Sequence, residues 1–467
     1  MENQVEPSYH IKSWQIKRLV RGTRLDKEKM ERICKILKKQ DRLESLIDKK
    51  GLCCHHTKLV SSLTQLKSIV LKFNNINEYE MESIASMNKL ISLDIGCART
   101  NLEGIKILSS KDNFTELNIE FSFFDQVPYM EYVSKMTDLR KLDISNNPIS
   151  LNRAKSANYL KSLEKLTDLT VTYLDMDLEF LKSISNLKFL TSLSIYGNLV
   201  GIEGVKIICS MFQLKKLDIT LNAIGEEGAK LISNSLKQLN TLRIGDNQIG
   251  DKGAESISSM KTLTALDLEE SNIGPQGLEF ICQMDQLKSL MLNFNTIGGS
   301  RLPINALTNL TEISLVLTNI GIEIVKSISL ITKLRNVNIS DNRLGDECLE
   351  IIGNSLFNLT ELDISENNMT ENGTKYLSSL KNLTHLNAED NRLNDESIQH
   401  LCSLKKLKSL YINNNQVGDE GFALIANSMK QLRLVHAHNN KETEIGRTLL
   451  KSRKHLLTSV WQDNDGE

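Results

Sequence analysis

The stretch LKKLDITLNAIGEEGAKLISNSLKQLNTLRIGDNQI, residues 214–249, states one phrase twice: LKKLDITLNAI from Leu214 and LNTLRIGDNQI from Leu239. The L-x-L core of each copy alternates apolar and polar residues, as a strand with one buried face does. An Asn follows at the strand exit, Asn222 in one copy and Asn247 in the next. A short amide there can hydrogen-bond backbone groups that a turn leaves unpaired. IGEEG then reads as a turn with a helix start. GAKLISNSLKQL, residues 228–239, spaces its apolar residues at roughly i, i+3 and i+4, the mark of a helix with one apolar stripe. The unit is therefore strand, turn, helix and return.

The same phrase, L-x-x-L-x-L-x-x-N-x-L, recurs along the chain, for example as LRNVNISDNRL from Leu334 and LTELDISENNM from Leu359. Anchored on its Asn position it occurs sixteen times from Asn74 to Asn440, at spacings of 23 to 27 residues. Eleven anchors are Asn; Ala98, Ser122, Leu174, Ser271 and Thr318 occupy the rest. The step from Asn147 to Leu174 is the longest and lacks the Gly turn, so a kink, bulge or altered twist is expected between Asn147 and Asn198. Parallel strands stack about 4.8 Å apart, whereas packed helices need about 8–10 Å between axes. A stack of such units must bend with its strands inside, which predicts an α/β solenoid shaped as a horseshoe, strands on the concave face and helices on the convex face.

These phrases resemble the ribonuclease-inhibitor-like class of leucine-rich repeats, over residues 63–445. The resemblance implies a protein-binding scaffold. Some members of the class activate small GTPases and others are substrate receptors of ubiquitin ligases, and both remain alternatives. Residues 1–62 hold no Leu-Pro pair of the kind that opens an adaptor-binding F-box, and the closing DNDGE is short for the acidic tail of the GTPase-activating type. Residues 1–62 read instead as an N-terminal cap with degenerate repeats: LESLIDKKGLC aligns with the strand phrase at anchor Gly51, and LDKEKMERIC with the helix phrase after Thr23. Residues 446–467 read as a C-terminal cap and polar tail. Trp14 and Trp461, near the two ends, are expected to seal the open core.

Composition narrows the function. The chain has 467 residues and a formal net charge of -1, so bulk charge points to neither nucleic acid nor membrane. No secretory signal or bilayer-length apolar run is legible, which predicts a cytoplasmic or nuclear protein. Cys209, Cys282 and Cys402 each fall eleven residues after an anchor, in a slot that elsewhere holds Ser or Ala. They are expected to be buried, reduced packing residues. Cys53, Cys54, His55 and His56 are adjacent, a spacing that cannot easily converge four ligands on one metal, so no metal is expected. No phosphate loop or nucleophile elbow occurs, so neither catalysis nor a cofactor is expected.

The strand face that is not buried carries the remaining information. Residues two, four, six and seven places after the first Leu of each phrase should face the concavity. Those positions hold seventeen carboxylates against four bases, Lys72, Lys141, Lys216 and Arg243. Aspartate can simply suit a solvated strand position. Alternatively the excess, which is mildly self-repulsive, forms a field for a basic protein. The densest acids are Asp246, Asp267, Glu269 and Glu270, then Asp341, Glu361, Asp363, Glu366, Glu389 and Asp390. Between them lie Met291, Phe294, Val316 and Leu317; further large side chains are Phe73, Phe121, Tyr173, Tyr196, Leu221 and Tyr411. Apolar anchors flanked by charge are the expected form of a binding surface. Oligomeric state is not legible.

Overall fold

The computed structural model describes residues 45–48, 60–72, 76–98, 100–122, 129–147, 158–298, 303–453 and 456–459. Trp14, Thr23, Cys34, Gly51, the Cys53–His56 run, Phe73, Asn74 and Trp461 lie outside them. The chain falls into two compact units, Met1–Asn222 and Ala223–Glu467.

In the first unit the strands are β1 Ser45–Asp48, β2 Ser68–Leu71, β3 Ser92–Asp94, β4 Glu116–Asn118, β5 Lys141–Asp143, β6 Asp168–Thr170, β7 Ser192–Ser194 and β8 Lys216–Asp218. Each pairs in parallel with the next, and each repeat presents the same position to its neighbour, as in Leu169↔Leu193 and Leu193↔Leu217. β1 joins β2 at Ser45↔Ser68, the register in which LESLIDKKGLC aligns with the later phrases. Helices such as Leu102–Ser109, Leu178–Ser185 and Gly201–Ile208 alternate with the strands.

The second unit repeats the plan with β9 Thr241–Arg243, β10 Ala265–Asp267, β11 Ser289–Met291, β12 Glu312–Ser314, β13 Asn336–Asn338, β14 Glu361–Asp363, β15 His385–Asn387, β16 Ser409–Tyr411, β17 Leu434–His436 and β18 Leu457–Ser459. All pair in parallel and in order. Consecutive helices pack on one another, among them Gly250–Ser258 on Pro275–Ile281. Parallel strands alternating with helices in an open sheet are the expected solenoid architecture. The core is the periodic apolar set: Leu239, Leu242, Ile244, Ile249, Ala254 and Ile257 of a single repeat are all fully buried. Each such Leu or Ile contributes about 1.5–3 kcal/mol by leaving water.

Two details differ from expectation. The repeat from Leu174 to Asn198 is regular, with helix Leu178–Ser185 capped by Asp177 through the Phe180 N–H at 2.8 Å. Residues 148–157, in the long step before it, lie outside the described residues. Between Asn295 and Thr318 the described part of the return is a single 3₁₀ turn, Ile304–Ala306, led by Pro303. The thiol slot is also less buried than its small-residue pattern implies. Cys282 is buried, but Cys209 and Cys402 are half-buried, and all three are free thiols. All three stand at the C-cap of their helix.

Candidate functional site on the strand face

The strand exit determines where the candidate side chains point. Asn342 is buried and its amide saturates the turn. Nδ2 donates to the carbonyls of Leu315, Ile339 and Ser340 at 2.7, 3.0 and 2.8 Å, and Oδ1 accepts from the N–H groups of Thr318 and Ile320 at 3.1 and 3.2 Å. Asn222, Asn247 and Asn391 are likewise buried and donate to backbone carbonyls. To bring the amide inward, the residue just before the anchor takes a left-handed backbone. In the second unit these residues are Asp246, Glu270, Phe294, Leu317, Asp341, Glu366 and Asp390, followed by Asn414 and Asn439, with φ between 49° and 56°. That conformation costs a non-glycine residue about 1–2 kcal/mol, less for Asn and Asp. The main chain stays in the ladder there: the Asp246 N–H donates to Glu269 O at 2.8 Å, Phe294 to Val316 at 2.8 Å and Asp390 to Asn413 at 2.9 Å. The first seven side chains thus form one row of charged and apolar groups, with a rung on each repeat, and the neutral Asn414 and Asn439 follow it.

The acids on this face divide into two kinds. Asp267 accepts the Glu269 N–H at 3.1 Å, and Asp363 accepts the Ser365 N–H at 3.0 Å and its hydroxyl at 2.7 Å. Asn338 and Asn387 do the same with their amide oxygens, towards Ser340 at 3.0 Å and Glu389 at 3.1 Å. At this position the turn needs an acceptor and not a charge. Glu269 accepts from Asn293, Glu361 from Asn336, and Glu389 from Asn413. The row is different. Among the described residues, the side chains of Asp246, Glu270, Asp341, Glu366 and Asp390 make no hydrogen bond or ion pair.

These carboxylates crowd one another. Partial burial, then the charges of Asp341, Asp390 and Asp363, pushes the Glu366 carboxyl above its ordinary range. Burial, then Asp390 and Asp363, raises Glu389, offset by the Asn413 hydrogen bond. Beside the row lies a groove of about 360 Å³ whose lining includes Met291, Asn293, Glu361, Asp363, His385, Asn387 and Tyr411. The asparagines and His385 escaped the sequence reading, which weighed only charge and apolar bulk. Their signal was the same strand column occupied by neutral polar groups. Phe294 and Leu317 stand 47% and 48% exposed, whereas Met291 and Val316 are half-buried.

Tyr173, Tyr196 and Leu221 belong to the first unit. Tyr173 has the same left-handed backbone, and its ring meets Tyr196 edge-on at 5.0 Å between centroids. The ring lies over Gly197, where a Cβ would come within 2.5 Å of it, so only glycine fits below. Leu221 is half-buried. A second groove, of about 390 Å³, is lined in this unit by Asp94, Glu116, Lys141, Asp143 and Asp168 among others. There Asp94 pairs with Lys72 at 3.4 Å and Glu116 with Lys141 at 2.8 Å.

Among the described residues no group of three or more His, Cys, Asp or Glu side chains is arranged to hold a metal ion, and no helix is long and apolar enough to cross a membrane. Parallel strands, return helices and a buried amide at most of the described exits make up a leucine-rich-repeat fold. A family model described as a leucine-rich repeat matches residues 212–233, 237–258, 259–282, 355–378 and 403–426. No curated protein sequence matches the chain. Similar solved structures include an internalin from Listeria monocytogenes, at 22% identity over 71% of this chain and 83% of that one, TM-score 0.45. A leucine-rich-repeat protein of Leptospira interrogans is 18% identical over 91% of this chain and 98% of its own, TM-score 0.41. A chain of the mouse RP105/MD-1 complex is 15% identical over 90% and 79%, TM-score 0.47.

Proposed function

We propose that this chain is a non-enzymatic scaffold, of the ribonuclease-inhibitor-like class and of the cytoplasm or nucleus, whose second unit receives a basic protein on its strand face. One observation carries the reading. Five carboxylates of the row make no bond among the described residues, yet they stand together around two exposed apolar side chains. Such groups repel one another and contribute nothing to the turns that hold them; a cationic partner reverses the repulsion and covers Phe294 and Leu317. Asp267 and Asp363 belong to the same face, but their charge is incidental to a turn. In the first unit Tyr173, Tyr196 and Leu221 offer an uncharged contact surface of their own.

The test uses the partner recovered by affinity capture and then purified. Reversing Glu270, Asp341, Glu366 and Asp390 to Lys slows its association, and the effect shrinks as salt rises. Phe294→Ala leaves association unchanged and speeds dissociation, by about 2 kcal/mol. A partner that docks on the return helices, or an association rate indifferent to these reversals, overturns the proposal.

A further inference from the structure

The row does more than attract positive charge; its spacing selects the shape of what lies on it. From Asp246 to Asp390 each rung remains hydrogen-bonded to the next through the main chain, so rungs keep the separation of sheet strands, about 4.8 Å. Two acids come first, then Phe294 and Leu317, then three acids. Like rungs are consecutive, so a ligand that reads this order must present one side chain per rung. An extended chain presents same-side residues about 6.6–6.8 Å apart and falls out of step after two rungs. An α-helix lying across the strands presents one residue per turn, every 5.4 Å, close enough for long basic side chains to absorb the difference. The six steps of the row span about 29 Å, the length of a helix of about 20 residues.

We infer that the occupant is a basic α-helix laid along the row, with two apolar residues one turn apart seated on Phe294 and Leu317 and Lys or Arg on the turns to either side. The inference rests on the reading of the row as a site for a basic protein and adds the conformation of the bound element. Exposed Phe and Leu on neighbouring rungs supply the contact; the flanking charge supplies the sign of what covers it.

The probe is a synthetic peptide of about 26 residues on an Ala/Gln background. It carries three Lys, two Leu and three Lys in that order, one per helical turn. A shuffled peptide and one with a central proline serve as comparisons, each titrated against the full chain by fluorescence anisotropy. The ordered peptide binds about tenfold more tightly than either comparison, and Phe294→Ala and Glu366→Lys both weaken it. Glu255→Lys, on an exposed helix position, does not. Thermal melts establish that each variant is folded, and if Phe294→Ala fails to fold, Leu317→Ala replaces it. Equal affinity for all three peptides, reduced by Glu366→Lys throughout, overturns the helix and leaves the acidic site standing. Indifference to both apolar truncations overturns the helix register. Absence of binding by any peptide, or binding insensitive to Glu366→Lys, removes both readings.

Discussion

Each buried Asn serves two repeats. The carbonyl of Ile339 accepts from Asn342 Nδ2 at 3.0 Å and from Asn367 Nδ2 at 2.9 Å, and that of Ile195 accepts from Asn198 and Asn222 at 2.8 and 3.0 Å. This redundancy explains Leu174. Its own N–H finds Asn198 Oδ1 at 2.9 Å, the Val171 carbonyl is held by Asn198 at 2.8 Å, and the Ile144 carbonyl by Asn147 at 3.0 Å. Asn342→Leu still orphans the N–H groups of Thr318 and Ile320, so it is expected to cost about 1–3 kcal/mol in urea unfolding. Adding Asn367→Leu strips both donors from Ile339. The double variant is therefore expected to lose more than the two single losses together, by about 0.5 kcal/mol or more. Simple additivity in that cycle would mean the shared carbonyl does not matter.

Successive helices are tied by carboxylates that cap across repeats. Asp251, in helix Gly250–Ser258, accepts the N–H groups of Gly274 and Gly277 at 2.7 and 2.9 Å, at the start of the following helix. A Cβ on Gly277 would fall 2.5 Å from that carboxylate, which is why glycine stands there. Asp346 holds Thr370 in the same way at 2.7 Å, and Asp419 holds Thr443 and Gly446 at 2.9 and 3.0 Å. Asp251→Ala is expected to destabilise the second unit by about 1–2 kcal/mol, as loss of a helix cap does, whereas Asp251→Asn keeps an acceptor and most of the stability. Chemical denaturation compares the two; equal losses would show that charge and not the hydrogen bond is at work. The hydrogen bonds from Thr443 lower the Asp419 carboxyl below its ordinary value, so its contribution is present above the unfolded pKa and fades as pH falls through the folded one.

At the scale of the molecule, a chain of net charge -1 sets Glu366 and Glu389 of its second unit beside Asp363 and Asp390. The carboxyls of Glu366 and Glu389 are raised, so the folded chain binds protons there more readily than the unfolded one. Their repulsion is felt above the folded pKa and is relieved as pH drops through it. Glu366→Gln is therefore expected to leave the melting temperature unchanged or raise it, and at the same time to slow association of the proposed basic partner. A stabilised variant with weakened binding is the signature of a functional group placed at the expense of stability. A variant that melts lower would instead give Glu366 a structural role.

The repeat period, the strand–turn–helix order and the buried Asn ladder were legible in the sequence. They follow from local periodicity restated sixteen times, and repetition makes one reading serve for every copy. The sequence could not separate Asp363 from Asp341, since both are aspartates in polar columns of the same phrase. Only the folded chain shows that one is consumed by the Ser365 turn while the other stands in a left-handed backbone with no bond among the described residues. The half-exposed Cys209 and Cys402 and the 3₁₀ turn at Ile304–Ala306 were equally out of reach. In each case the outcome depends on how a turn closes and on atoms supplied by neighbouring repeats some 22–28 residues away, which no local pattern records.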